Sequence, residues 1–166
     1  MRIKLEELKE SDLPFIKEIY DYYTLNTTVV YSTKPVSMEE IRSFLPIGDP
    51  VYRSFIIKSP EGEDVGLCYF SKFKPREAYR ISVELTIYLI PEAAGKGYGS
   101  EALNQIEEII KSGGFHNIMA LVGNENNASI NLFEKAGYIC CADIKEAAEK
   151  FGRKIGLRMY QKILKV

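Results

Sequence analysis

The chain has 166 residues, a formal net charge of −1, 46% hydrophobic and 27% charged residues, which is ordinary globular composition and enough length to bury a core. Near-neutral charge speaks against nucleic acid as a partner, since nucleic-acid-binding domains are usually strongly basic. Cys68, Cys140 and Cys141 lack CxxC spacing and His116 is the single histidine, so no metal is expected, and an odd cysteine count suits a reducing cytoplasm. No apolar h-region opens the chain and no run approaches transmembrane length, so one soluble cytoplasmic domain over residues 1–166, with no membrane partner, is expected.

In chain order, residues 1–8 alternate Ile3 and Leu5 with charged neighbours and predict a half-buried strand. Ser11-Asp12 before Pro14 predicts a capped helix start, and Leu13, Ile16, Ile19, Tyr20 and Tyr23 recur at helical spacing. Residues 26–33 (NTTVVYST) are polar and aromatic and do not continue it. Ser37-Met38-Glu39-Glu40 is a capping box for a short helix bearing Ile41, Phe44 and Leu45, and residues 46–50 form a linker. Residues 52–58 and 65–73 flank Pro60-Glu61-Gly62 and predict an antiparallel hairpin. A loop at 74–80 leads to a central strand at 81–90. A helix at about 97–112 follows, with Ala102, Leu103, Ile106, Ile109 and Ile110 on one face and a stop at Gly113-Gly114. The strand at 116–122 is parallel to 81–90 if that helix is a crossover. A helix bearing Ile130, Leu132, Phe133 and Ala136 ends at Gly137, and strands near 138–147 and 154–164 pair with each other. The order predicts a mixed α/β fold of the α+β type.

Chemistry concentrates in residues 83–100, an apolar strand with one acid, Glu84, then a Pro91 loop, then Gly95-Lys96-Gly97-Tyr98-Gly99-Ser100 opening a helix. Alternate glycines let backbone N–H groups converge on an anion, and the helix dipole adds positive potential. A Walker A loop needs GxxxxGK[ST] and is absent; a dinucleotide fingerprint needs a glycine where Ser100 stands. An acyl-CoA pyrophosphate cradle and a glycine-rich turn without a ligand remain.

Several segments carry a resemblance: DLPFIKEIYDYYTLNTTVVY (12–31), PVSMEEI (35–41), KFKPREAYRISVELTIYL (72–89), GKGYGS (95–100), NENNASINLFEKAGY (124–138) and KFGRK (150–154). Together they are similar to the GNAT superfamily of N-acetyltransferases, and within it the chain resembles the phosphinothricin/methionine sulfoximine acetyltransferase group. The resemblance implies a GNAT fold: a central mixed, mostly antiparallel sheet of about seven strands, splayed at 81–90 and flanked by about four helices. It implies acetyl-CoA as co-substrate, with its pyrophosphate on the amides of Gly95, Lys96, Gly97, Tyr98, Gly99 and Ser100. The pantetheine arm would pair with Ile87, Tyr88 and Leu89 as an added strand. The Leu89 amide would then stabilise the thioester oxyanion.

Glu84 matches the acid of the group's V-E pattern and is the implied general base; among Val83, Leu85 and Ile87 its pKa is expected to be raised by desolvation. The alternative places it on an exposed face or pairs it with Arg80. Arg76 and Tyr79 match substrate-pocket positions, where an arginine can clamp a carboxylate or phosphinate; Tyr88, Thr28 and Tyr31 are candidates for the same pocket. Each has a plain loop or packing alternative. Asn127 and Ser129 either cap the last helix or touch the pantetheine arm. A homodimer is implied by the resemblance alone.

Three positions depart from the group's pattern. Ala94 stands where an Arg or Gln opens the pyrophosphate loop; Phe133 stands where a Tyr or His donates a proton; Lys154-Ile155-Gly156 replaces an aromatic and an acid. Tyr138 is a possible substitute acid. Water can also protonate the departing thiolate, whose conjugate acid lies near a pKa of roughly 8.5. The expected function is acetyl transfer to the primary amine of a small amino-acid-like substrate by direct attack in a ternary complex. Peptide or protein amines, and a non-catalytic acyl-CoA sensor suggested by Ala94 and Phe133, are the alternatives.

Overall fold

The computed structural model describes residues 2–165, so Met1 of the first predicted strand lies outside the described residues. The elements run β1 (Lys4–Glu7), α1 (Leu13–Asn26), α2 (Met38–Phe44), β2 (Ser54–Lys58), β3 (Asp64–Lys72), β4 (Ser82–Leu89), α3 (Tyr98–Ser112), β5 (Asn117–Gly123), α4 (Asn127–Lys135), β6 (Ile139–Lys150) and β7 (Arg153–Ile163). The seven strands form one sheet in the order β1-β2-β3-β4-β5-β7-β6. Every neighbouring pair is antiparallel except β4–β5, which the α3 crossover joins in parallel. The element order leads to this mixed α/β class, and the mostly antiparallel sheet of seven strands with four helices is what the resemblance implies.

The sheet separates two apolar layers. Val83 and Leu85 of β4 and Ile118, Ala120 and Val122 of β5 pack with Leu103, Ile106 and Ile110 of α3 and with Phe133 of α4. On the other face Ile16, Ile19 and Tyr20 of α1 and Ile41 of α2 pack on Ile56, Leu67 and Tyr69. Ile106 and Ile110, one helical turn apart, are fully buried, which is the inward face that their spacing predicts.

Local chemistry sets the element ends. Ser37 Oγ accepts the Glu40 amide at 3.1 Å and the Glu40 carboxylate accepts the Ser37 amide, completing the predicted capping box. Asp12 behaves differently from the prediction. Its carboxylate accepts the Lys9 amide at 2.8 Å across a 3-10 turn instead of capping α1. Pro14 sits in the first turn of α1, where an N–H has no intrahelical partner. At the β6–β7 turn Phe151 and Gly152 both have positive φ, 54° and 73°, which is the two-residue geometry that matches strand twist.

Candidate active site

The β4–β5 ladder holds only from Ser82↔Asn117 to Glu84↔Met119, although β4 continues to Leu89 and β5 to Gly123. Beyond Glu84 the strands part and leave a wedge. β3 stays paired along β4 as far as Gly66↔Leu89, and the Ile90 amide donates to the Val65 carbonyl at 2.9 Å. Successive residues of a strand alternate the edge to which their N–H and C=O point. Ile90 and Tyr88 therefore face β3, and Ile87 and Leu89 face the wedge. That is the splay expected at 81–90.

The α3 N-terminus closes one end of the wedge. Gly95 and Gly97 have φ of +76° and +82°, conformations that cost residues with a Cβ about 1–2 kcal/mol. They turn the chain so that the first-turn amides of α3, which have no partner inside the helix, open on a cavity of about 450 Å³. Ala94, Gly95, Gly97, Gly99 and Ser100 form one wall, Ile87, Tyr88 and Leu89 another, and α4 a third. Glycine loop, free amides and open strand edge together fit an elongated anion bearing amide groups. Lys96 is exposed and does not line the cavity, and the Tyr98 ring is buried in the α3 core, so Tyr98 offers only its backbone.

A second cavity, of about 190 Å³, adjoins the first and shares Val29, Ile87, Tyr88, Asn126 and Ser129 with it. Glu84 and Thr86 line this inner chamber with Tyr69, Leu121 and Phe133. Burial pushes the Glu84 carboxyl above the ordinary carboxylate range, and the Lys74 ammonium draws part of that shift back. Arg80 is not its partner, because the Arg80 guanidinium donates to the Glu77 carbonyl. Tyr88 lines both cavities and packs edge-on to Tyr20, whose hydroxyl lies 3.1 Å from that of Tyr69.

Other expected site residues fall elsewhere. Arg76 is an exposed residue at the start of the turn before β4, and Tyr79 packs edge-on to Phe73; neither lines a cavity. The Thr28 hydroxyl donates to Glu125 at 2.6 Å and the Tyr31 hydroxyl donates to the Gly156 carbonyl, and Val29 between them is the residue that reaches the site. The cap of α4 is Asn126, whose Oδ1 accepts the Ser129 amide at 3.2 Å, whereas Asn127 is exposed and lines neither cavity. Tyr138 is not a substitute acid: its hydroxyl donates to Glu107 on α3 at 3.0 Å, burial raises its pKa strongly, and it lines neither chamber. Buried Cys68 has its thiol pKa pushed up by desolvation and packs on the α3 side of the sheet, on the opposite face from Glu84. Sequence reasoning missed Tyr23, Asn126, Asn131, Lys74 and Lys135. Of these, Tyr23 reads from the sequence only as a helix-face residue, and nothing in the order around Glu84 signals Lys74. Among the described residues no group of three His, Cys, Asp or Glu side chains gathers as a metal site, and no helix is long and apolar enough to cross a membrane.

The chain is similar to known proteins along nearly its whole length. A family model described as an acetyltransferase (GNAT) domain matches residues 5–159. A phosphinothricin N-acetyltransferase of Streptomyces coelicolor is 29% identical over 93% of this chain and 92% of its own length. An L-methionine sulfoximine/L-methionine sulfone acetyltransferase of Pseudomonas paraeruginosa is 26% identical over 97% of this chain and 94% of its own. The crystal structure of a GNAT superfamily phosphinothricin acetyltransferase from Sinorhizobium meliloti, in complex with AcCoA, superposes with a TM-score of 0.88 at 30% identity, covering 99% of this chain and 89% of that one. With the splayed strand, the glycine cradle and a family match over nearly its whole length, the chain belongs to the GNAT acetyltransferases.

Proposed function

We propose that the protein transfers an acetyl group from acetyl-CoA to the primary amine of a small amino-acid-like substrate of the phosphinothricin or methionine sulfoximine type, by direct attack in a ternary complex. The observation that carries this reading is the joining of two chambers at Ile87 and Tyr88, one ending on the α3 amides and the other on Glu84. Acetyl-CoA supplies an activated acetyl thioester. The first-turn amides of α3 hold its pyrophosphate, and the wedge-facing groups of Ile87 hold its pantetheine arm. The Leu89 amide is left to donate to an acyl oxygen in the wedge.

An amine arrives mainly as ammonium and attacks only after losing a proton. Glu84 takes that proton, directly or through water, and its raised pKa makes it a better acceptor than an exposed carboxylate. A substrate carboxylate or phosphinate finds its counter-charge in the loop after β3, from Lys74, whose charge reaches Glu84, or from Arg76. Cys68 offers no route through a covalent enzyme intermediate, because a thiol with a raised pKa supplies little thiolate.

Phe133 on the wall of the inner chamber motivates a second reading, an acyl-CoA sensor without turnover, since phenylalanine donates no proton. Incubation with acetyl-CoA and a panel of amines, following free thiol, separates the two. Thiol release with phosphinothricin or methionine sulfoximine supports the transferase. Release only with peptide amines moves the substrate class, and tight acetyl-CoA binding without release for any amine supports the sensor.

A further inference from the structure

We infer that Lys135, the last residue of α4, is the counter-charge for the 3′-phosphate of CoA and selects CoA thioesters over thioesters lacking that group. The inference rests on the reading of the larger cavity as the acetyl-CoA site.

Among the described residues lining that cavity, Lys135 is the one cationic side chain. Ala94 brings no charge to the glycine loop, and Lys96 lies outside the lining. CoA has two phosphate groups to be matched: the pyrophosphate that the α3 amides suit, and a phosphomonoester carrying about −1.5 to −2 charge at neutral pH. Backbone amides at one helix start can serve the first. The second needs another donor.

Positions along α4 place Lys135 at the right end. Ser129 lines both chambers and so marks the acyl end. Leu132 marks the level of the α3 N-terminus, since a Cβ on Gly99 would lie 3.7 Å from Leu132 Cδ2. Lys135 comes three residues later, roughly 4.5 Å further along the helix axis, on the face of α4 that with Asn131 and Leu132 lines the outer cavity alone, whereas Phe133 turns to the inner chamber of Glu84. A cofactor laid with its thioester near Ser129 and its pyrophosphate beside Gly99 therefore carries its nucleotide end toward Lys135.

Among the described residues no carboxylate pairs with this ammonium. The neighbouring acid, Glu134, accepts the Tyr160 hydroxyl at 2.9 Å on another side of α4. Lys135 is exposed at the cavity rim, so its attraction for a phosphate is moderated by solvent and weakened by salt.

Titration calorimetry with acetyl-CoA and acetyl-3′-dephospho-CoA, on the wild type, Lys135→Met and Lys135→Arg, tests the assignment. The wild type is expected to prefer acetyl-CoA by roughly three- to tenfold at low salt, and the preference should shrink as salt is added. Lys135→Met should abolish the preference by weakening acetyl-CoA alone, and Lys135→Arg should restore it. The unliganded melting temperature checks that each variant folds. If Lys135→Met keeps the preference, or weakens both ligands equally, the assignment is overturned while the CoA site stands. If the wild type binds neither ligand, the CoA site itself fails and the assignment with it.

Discussion

The Tyr23 hydroxyl donates to the Leu89 carbonyl at 2.5 Å, tying α1 to the last residue of β4 at the lip of the wedge. Both polar groups of Leu89 face the edge that β5 has left, and Tyr23 occupies the carbonyl. The amide is then the group left free for a ligand, and its direction is held by a bond from outside the strand. Tyr23→Phe removes that bond and nothing else from the cavity wall. Unfolding in urea should show a loss of roughly 1 kcal/mol with an unchanged slope. Acetyl-CoA affinity should fall severalfold, because the strand edge is less well held. An unchanged midpoint together with unchanged affinity would make the bond incidental.

Replacing Glu84 by Gln should lower the rate by about 10²–10⁴-fold, the usual contribution of a positioned base, with little change in acetyl-CoA affinity. The same change should raise stability at neutral pH. Glu84 has a raised pKa in the folded protein, so the folded state binds its proton more tightly than the unfolded state does. Stability from this group is therefore present at low pH and declines as pH rises from the unfolded carboxylate pKa through the folded one. Glutamine carries no charge to desolvate, so Glu84→Gln should melt higher than wild type at pH 7 and lose that advantage at about pH 4. In the wild type the acid limb of kcat/KM should lie above the ordinary carboxylate range. A variant that keeps its rate across pH would remove Glu84 from the chemistry.

Much of this arrangement is legible in the amino-acid order, for identifiable reasons. Ile106 and Ile110 announce a buried helix face by spacing, and Ser37 with Glu40 announces a cap, because both signals are local. The splay of β4 is less so. It depends on where β5 stops pairing, at Glu84↔Met119, and no residue of β4 signals that. Tyr23 reads as one more apolar helix position, since the carbonyl that it meets is 66 residues away. Arg76 looks a better anion clamp than Lys74 by side-chain chemistry, yet it is the Lys74 charge that acts on the Glu84 carboxyl. At α4 the run of Asn126, Asn127 and Ser129 offers several cap registers, and helix geometry selects the Asn126 side chain with the Ser129 amide.

The glycine cradle divides into two kinds of glycine, and alanine at each should separate them. Gly97 is the N-cap of α3 with φ of +82°, and a Cβ there would meet no atom within 4 Å. Gly97→Ala therefore costs conformational energy without a clash, about 1–2 kcal/mol, and relaxation of the loop would turn the α3 amides away from the cavity. Gly99 lies inside α3, where a Cβ would sit 3.7 Å from Leu132 Cδ2 and 3.9 Å from Leu89 Cδ1, ordinary contacts in each case. Alanine in a helix is favoured over glycine by roughly 0.5–1 kcal/mol, so Gly99→Ala should fold at least as stably as wild type. Leu89, Gly99 and Leu132 all line the cavity, however, and the added methyl stands between its walls. Gly97→Ala should thus lose stability and acetyl-CoA affinity together, whereas Gly99→Ala should lose affinity alone. Melting curves and calorimetric Kd values for the two variants give the comparison. Wild-type affinity in Gly99→Ala would mean that no ligand comes close to the first turn of α3, and the cradle would then be only a change of chain direction.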